Sequence, residues 1–482
     1  MTAMFWPVVL FMALSLAVGL YTFTQVQGSS RRFTVCGKSM PFMIIGTALL
    51  AQAVDGNATM GNTSLIYTSG FWSGAAIPLG LALSLFLVGR YLAAPLNRMN
   101  LLTLPEFFFR RYSKGTELLV SLLTIVSFTI VVAGNLAAVA WLLSMVSGFD
   151  YLTCLAIGTV VIVVYTMAGG LYSALWTDFL QIHIALVGFV AAAGWLVYTQ
   201  DFSTLLANVP AAQLDFSGLT SMGNGALLNW SFILSLAFGN AMALDFMERV
   251  FAAKSPRTAK VSCYYAGWMT LLIGGCACVL GIASLGLITE VADPRMVMPT
   301  LLVEHVPYWM AVLVVLGVLG ASMSTANGAM LVISVVIARN VLQRWRMHTV
   351  KDSTMLSLSR LLAIPVGFFG AWMAWVRPEP GILLVIAFDI VFAGCVAPLF
   401  FGVYWEKSNK NGAIASVLVG TISRLILQFT VPLDWAGLET LLPPVLGTVS
   451  FVTTCLWKPV EVNRHGTVYE TTDSFITEAV EG

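Results

Sequence analysis

The sequence predicts an all-α integral membrane protein of about thirteen transmembrane helices, and three observations carry that expectation. Of its 482 residues, 58% are hydrophobic and only 10% are Asp, Glu, Lys or Arg, against about 25% charged in a soluble chain. A soluble fold of this length would still need a polar surface, and there is too little charge to make one. Apolar runs of about the length that crosses a bilayer recur from end to end. They lie near 5–24, 41–67, 71–94, 118–147, 152–168, 179–199, 227–248, 261–289, 308–341, 355–376, 380–405, 412–431 and 440–457. The basic residues test that count. With thirteen spans, the loop residues from Arg31 and Arg32 through Arg98, Arg111, Arg249, Arg257, Arg339, Arg346 and Lys407 to Lys458 and Arg464 share one side. Only Arg295 and Arg377 fall in the opposite loops. By the positive-inside rule the N-terminus is outside and the C-terminus inside.

The first run, Phe5–Phe23, lacks a basic leading segment and a small-residue cleavage site, so it is read as a retained span. No low-complexity linker divides the chain. Residues 1–457 are therefore expected to form one membrane domain, in the cell membrane, and 458–482 a polar, disordered cytoplasmic tail. A net charge of +1 gives no electrostatic case for a nucleic-acid partner; membrane lipid is the expected surrounding, and nothing in the sequence sets an oligomeric state. The seven cysteines sit mostly in apolar stretches and read as small core residues.

Ionisable residues at membrane depth are costly and mark a pathway, a site or an internal pair. Asp55 lies in LAQAVDGNATMGNTS (50–64), where Gly56, Asn57, Thr59, Gly61 and Asn62 are poor material for a regular lipid-facing helix. A broken helix is tolerated where it is buried or lines a cavity, and its free carbonyls can hold a cation. The alternative is a polar kink packed against its neighbours. In GASMSTANGAM (320–330), Ser322, Ser324, Thr325 and Asn327 cluster in an apolar helix. Their oxygens are hard ligands suited to sodium, although such hydroxyls also serve as glue between helices. In the seventh span Asp245 follows the flexible pair Gly239-Asn240 and could face a central cavity, while Glu248 and Arg249 are expected at the cytoplasmic surface as a salt bridge or gate. Asp389 and Arg424, on adjacent spans, read as a structural ion pair. Trp141, with Trp72, Tyr165 and Trp176, is a candidate for cation–π contact with a solute.

Four stretches, in order along the chain, carry a resemblance. YTMAGGLYSALWTDFLQ (165–181) resembles the Tyr-Thr-x-x-Gly-Gly-Leu-x-Ser…Thr-Asp-x-x-Gln signature of the sodium/solute symporter family, which includes sodium/proline, sodium/glucose and high-affinity choline carriers. GKSMP (37–41) resembles the loop before that family's first core helix. ERVFAAKS (248–255) resembles the end of its sixth, and ASMSTANGAMLVISVVIARN (321–340) its serine-rich eighth. The resemblance implies a LeuT-type core of two inverted five-helix repeats, here about 41–199 and 227–405. It also implies a sodium (Na+) site at the carbonyls of Ala53, Gly56 and Ala321 and the hydroxyls of Ser324 and Thr325, with Asp55 as a further candidate ligand.

Asp178 resembles an acid used by relatives that bind a second sodium, which makes Asp178 and Asn327 candidate second-ion or gating residues. The hydroxyls such a site needs after Thr325 are replaced by Ala326 and Asn327, so one sodium per cycle is expected. Where proline carriers place aromatic contacts, Val131 and Leu236 stand here. Asp55, Asn57, Asp245 and Trp141 are the candidate solute contacts. The two carboxylates would suit a small organic cation such as choline, a polyamine or a basic amino acid.

The function implied is sodium-coupled uptake of a small solute by alternating access. A rival is a solute-sensing subunit acting with a separate signalling partner. An enzyme would need a nucleophile–base or metal constellation, and His183, His305, His348 and His465 are scattered without ligand spacing.

Overall fold

Asp55 explains the first break in the helix pattern. In the computed structural model, which describes residues 3–457 other than 208, 292 and 345–349, α1 (Phe5–Val26) precedes a helix interrupted in its middle. Its halves are α2 (Phe42–Ala53) and α3 (Gly56–Ser69). Val54 leaves helical geometry, and extended Asp55 caps α3 by accepting from the Ala58 amide at 2.9 Å. An Asp cap satisfies the new helix's amides and leaves the last carbonyls of α2 unspent.

The remaining long helices are α4 (Phe71–Arg98), α5 (Lys114–Ser147) and α6 (Tyr151–Thr199), then α7 (Ala226–Met242) with α8 (Leu244–Ala252), and α9 (Pro256–Leu287). After the short helix α10 (Val297–His305) come α11 (Tyr308–Gln343), α12 (Asp352–Val376), α13 (Ile382–Phe392) with α14 (Val396–Tyr404), α15 (Lys410–Thr430) and α16 (Leu438–Trp457). Nine helices are long and apolar enough to span a membrane among the described residues, and the pairs α7/α8 and α13/α14 pass the same test as units bent by 48° and 51°. Helix α6 has 49 residues, about 73 Å at 1.5 Å per residue against a hydrocarbon core of about 30 Å. It is interrupted at Gly170 (φ 58°, ψ −140°), a conformation that needs glycine. The break in α6 at Gly170 falls between the expected runs 152–168 and 179–199, and the break between α2 and α3 falls inside the expected run 41–67. The tail 458–482, Arg346, Lys458 and Arg464 lie outside the described residues.

Small residues let α6 and α11 approach. A Cβ on Gly317 would lie 2.8 Å from the Ala185 nitrogen, and one on Gly188 2.7 Å from the Val314 nitrogen, so both contacts are backbone against backbone. At the basic end of the bundle three segments are tied together. Met40 N–H donates to Ala252 O (3.1 Å), Lys254 N–H donates to Met40 O (3.0 Å), and the Asn97 amide donates to Val250 O and Ala253 O. At the other end α3 meets the start of α13 at Gly61 and Gly381, where a Cβ on Gly61 would lie 2.5 Å from Gly381 Cα. The Arg295 guanidinium there covers the Trp141 ring at 4.7 Å.

Candidate functional site

Between those two sets of contacts, the break of α2/α3 lies against α11. The Gly56 amide donates to Ser322 Oγ at 2.8 Å, spanning 266 residues of chain. Asp55, 1% exposed, accepts from Asn135 Nδ2 on α5 at 2.7 Å. Thr325 lies with its buried hydroxyl beside the Asp55 carboxylate. The structure thus brings the Ala53–Gly56 segment and the Ala321–Thr325 segment to one buried place. It offers carbonyl, hydroxyl and carboxylate oxygens there, which is the donor set a hard monovalent cation takes. Ser324 Oγ donates its hydrogen to Asp178, and this leaves its lone pairs as the part that can face a cation.

Asp178 is fully committed. One oxygen accepts from Ser324, and the other is 3.0 Å from Arg249 Nη2, with both side chains of the ion pair fully buried. The expectation for Arg249 and Glu248 at the cytoplasmic surface is corrected here. Both are 0% exposed, because α8 is buried along its whole length and Asp178 on α6 supplies the counter-charge that a buried guanidinium needs. Arg249 also donates to Asp245 O at 3.1 Å, and its guanidinium lies over Gly328, where a Cβ would sit 3.3 Å from two of its nitrogens. The Gln52 amide, oriented by these neighbours, donates to Asp245 and accepts from Arg249 at 2.8 Å. Any second cation at Asp178 would have to displace the guanidinium.

Asp245 is 3% exposed and accepts from Phe246 N–H (2.8 Å) in the first turn of α8. Gln52, three residues before Asp55, ties it to α2. Asn57 donates to Val131 O at 3.3 Å, in space that Gly134 leaves for its amide. Asn327 is buried with neither amide atom partnered. Trp141 is not brought to Asp55. It stands six residues beyond Asn135 on α5, its face under Arg295 and its Nε1 donating to Pro378 O at 3.2 Å. Of the other aromatic candidates, Trp72 donates to Phe216 O, Tyr165 to Met323 O, and Trp176 is exposed on the outside of the bundle. Asp389 accepts from Arg424 and, at 3.1 Å, from Thr440, so it ties α13 to α15 and α16.

Sequence reasoning passed over Asn135 and Gln52. The rule that flagged Asp55 would have found both, since each is a polar side chain inside an apolar run. Ser322 and Gly56 were both singled out, but not their hydrogen bond to each other.

A broken-helix bundle with a buried oxygen cluster at the break defines a membrane carrier. Residues 33–420 match the sodium:solute symporter family, and the chain belongs to that family. It is 26% identical over 427 residues to a sodium/proline symporter of Haemophilus influenzae, covering 82% of this chain and 83% of that one. It is 23% identical over 447 residues to a high affinity choline transporter of Homo sapiens, covering 88% and 76%. Among solved structures, the substrate-bound outward-open state of a sodium-coupled sialic acid symporter superposes with a TM-score of 0.81. That match is at 17% identity and covers 95% of this chain and all of that one; at that identity it speaks for the LeuT-type fold alone.

Proposed function

We propose that this chain imports a small, positively charged organic solute together with sodium, by alternating access. The observation that carries this reading is the pairing of the α2/α3 break with Ser324 and Thr325 on α11, next to two buried carboxylates, Asp55 and Asp245. Sodium is held by the carbonyls of Ala53, Gly56 and Ala321 and the hydroxyls of Ser324 and Thr325, with Asp55 balancing its charge. The solute's charge is balanced by Asp245, and Asn57 contributes a further contact. Sodium binding selects the state in which the solute site is complete. Each positive charge entering a cell at negative potential gains about 2.3 kcal/mol per 100 mV.

One sodium moves per cycle, because Arg249 already neutralises Asp178. The topology is thirteen spans in a single domain over 1–457, N-terminus outside and C-terminus inside, in a cell membrane of the bacterial inner-membrane kind. The one-sided distribution of basic loop residues supports that orientation. Repeats over about 41–199 and 227–405 are supported by each beginning with a broken helix, α2/α3 and α7/α8.

The test is uptake into vesicles reconstituted with the purified protein, using a panel of cationic, neutral and anionic solutes. Concentrative uptake of a cation that needs an inward sodium gradient is expected. Gradient-independent flux, or uptake of neutral or anionic solutes only, speaks against the reading.

A further inference from the structure

We propose that the solute is an amine or guanidinium that presents N–H groups, and that a quaternary ammonium is rejected. This rests on the reading of the chain as a carrier of cations and narrows it.

Around the first break the donors are consumed by the protein and the acceptors are left over. Asn57 Nδ2 donates to Val131 O at 3.3 Å. Asn135 Nδ2 donates to Asp55 Oδ2 at 2.7 Å and to Val131 O at 3.2 Å. A carbonyl and a carboxylate can only accept, so these partners fix which way both amides face. What remains is Asn57 Oδ1 and Asn135 Oδ1, both buried and both without a hydrogen-bond partner. Asp55 caps α3 at this break, and Asp245 is tied to α2 through the amide of Gln52, three residues before Asp55. Acceptors gathered around paired negative charge match a cation whose charge is carried on N–H. Each N–H can satisfy an oxygen that is otherwise buried unpaired, at a free-energy cost that a methyl group cannot relieve.

A quaternary ammonium has no N–H and is held instead by aromatic faces. Helix α5, which supplies Asn135, has two aromatic residues, and each is engaged elsewhere. Phe128 packs edge-on against Phe388, with centroids 6.1 Å apart, and Trp141 is covered by Arg295. The groups nearest the Asn57 amide are Val131 and Gly134, which offer no π-face.

The experiment is thermal unfolding of the purified full chain in sodium chloride with matched N-methylation series. These are ethanolamine, N-methylethanolamine, N,N-dimethylethanolamine and choline, then putrescine and arginine, each with its permethylated counterpart. In at least one series the N–H-rich parent should raise the unfolding midpoint at a concentration about a hundredfold or more below that of its permethylated form, the scale set by leaving a buried acceptor unpaired. Permethylated compounds binding as well as their parents would overturn the proposal. So would a response confined to neutral or anionic solutes such as proline or pantothenate, or no response to any member. Repeating the series in potassium chloride separates the two readings. A parent amine that stabilises equally in both salts counts against sodium coupling while leaving the N–H preference standing.

Discussion

Arg249 lies 3.0 Å from Asp178, with both side chains fully buried, and joins α8, the second half of the second broken helix, to α6. Removing one partner strands a charge at no-water depth, at a cost of about 3–5 kcal/mol. Arg249→Leu and Asp178→Asn should each lower the unfolding midpoint markedly in detergent. The double variant Asp178→Leu/Arg249→Leu should be less destabilised than the sum of its single changes. Additive losses would show that the pair is not an energetic unit.

Ser324 donates to Asp178, so the acid holds a proposed sodium ligand in place without touching the ion. Ser324→Ala should raise the sodium concentration for half-maximal stabilisation by about tenfold or more, the loss of one charge-assisted contact. Asp178→Asn should raise it less, since the hydroxyl keeps its place but loses its charged acceptor. Sodium titrations of unfolding midpoints rank the two, and the reverse order would contradict this role for Asp178.

Gly61 and Gly381 meet backbone to backbone at the end of the bundle opposite Met40 and Ala253, where Gly381 has φ +83°. Gly61→Ala places a methyl 2.5 Å from Gly381 Cα, tighter than the contact allows without displacement. It should shift the protein toward states open at that end. Hydrogen–deuterium exchange over Gly56–Ser69 should be faster than in the native chain, and Arg295→Gln, which uncovers Trp141, should act in the same direction. Unchanged exchange in both would mean that this end does not gate.

Much of this architecture was legible beforehand. The spans follow from runs of apolar length. The first break follows from an Asp that caps a helix in mid-membrane, and the α11 cluster from hydroxyls where lipid offers no partner. What stayed hidden were the partners. Gly56 and Ser322 are 266 residues apart and Asp178 and Arg249 are 71 apart, and no periodicity encodes which buried polar group will face which. Arg249 was misplaced for that reason. A charged residue near a loop looks like surface until its counter-charge on another helix is known. Trp141 misled in the opposite way, because an aromatic in a span is as suited to cover an arginine as to hold a solute.

The pair Asp389–Arg424 lies apart from the proposed sodium ligands, linking α13 to the last two helices. Arg424→Leu leaves a buried carboxylate with only Thr440 and should cost about 1–3 kcal/mol of stability. The sodium concentration for half-maximal stabilisation should not change. A changed sodium response would assign Asp389 to the transport path instead.

The most direct measurement is the unfolding midpoint of the purified protein in sodium chloride against potassium chloride at equal ionic strength, for the native chain, Thr325→Ser and Thr325→Val. A cation held at the α2/α3 break stabilises the folded state by mass action. Sodium should therefore raise the midpoint over potassium in the native chain and in Thr325→Ser, which keeps the oxygen, and the difference should vanish in Thr325→Val. Equal midpoints in the two salts for the native chain, or a sodium effect that persists undiminished in Thr325→Val, would contradict a sodium site at this break.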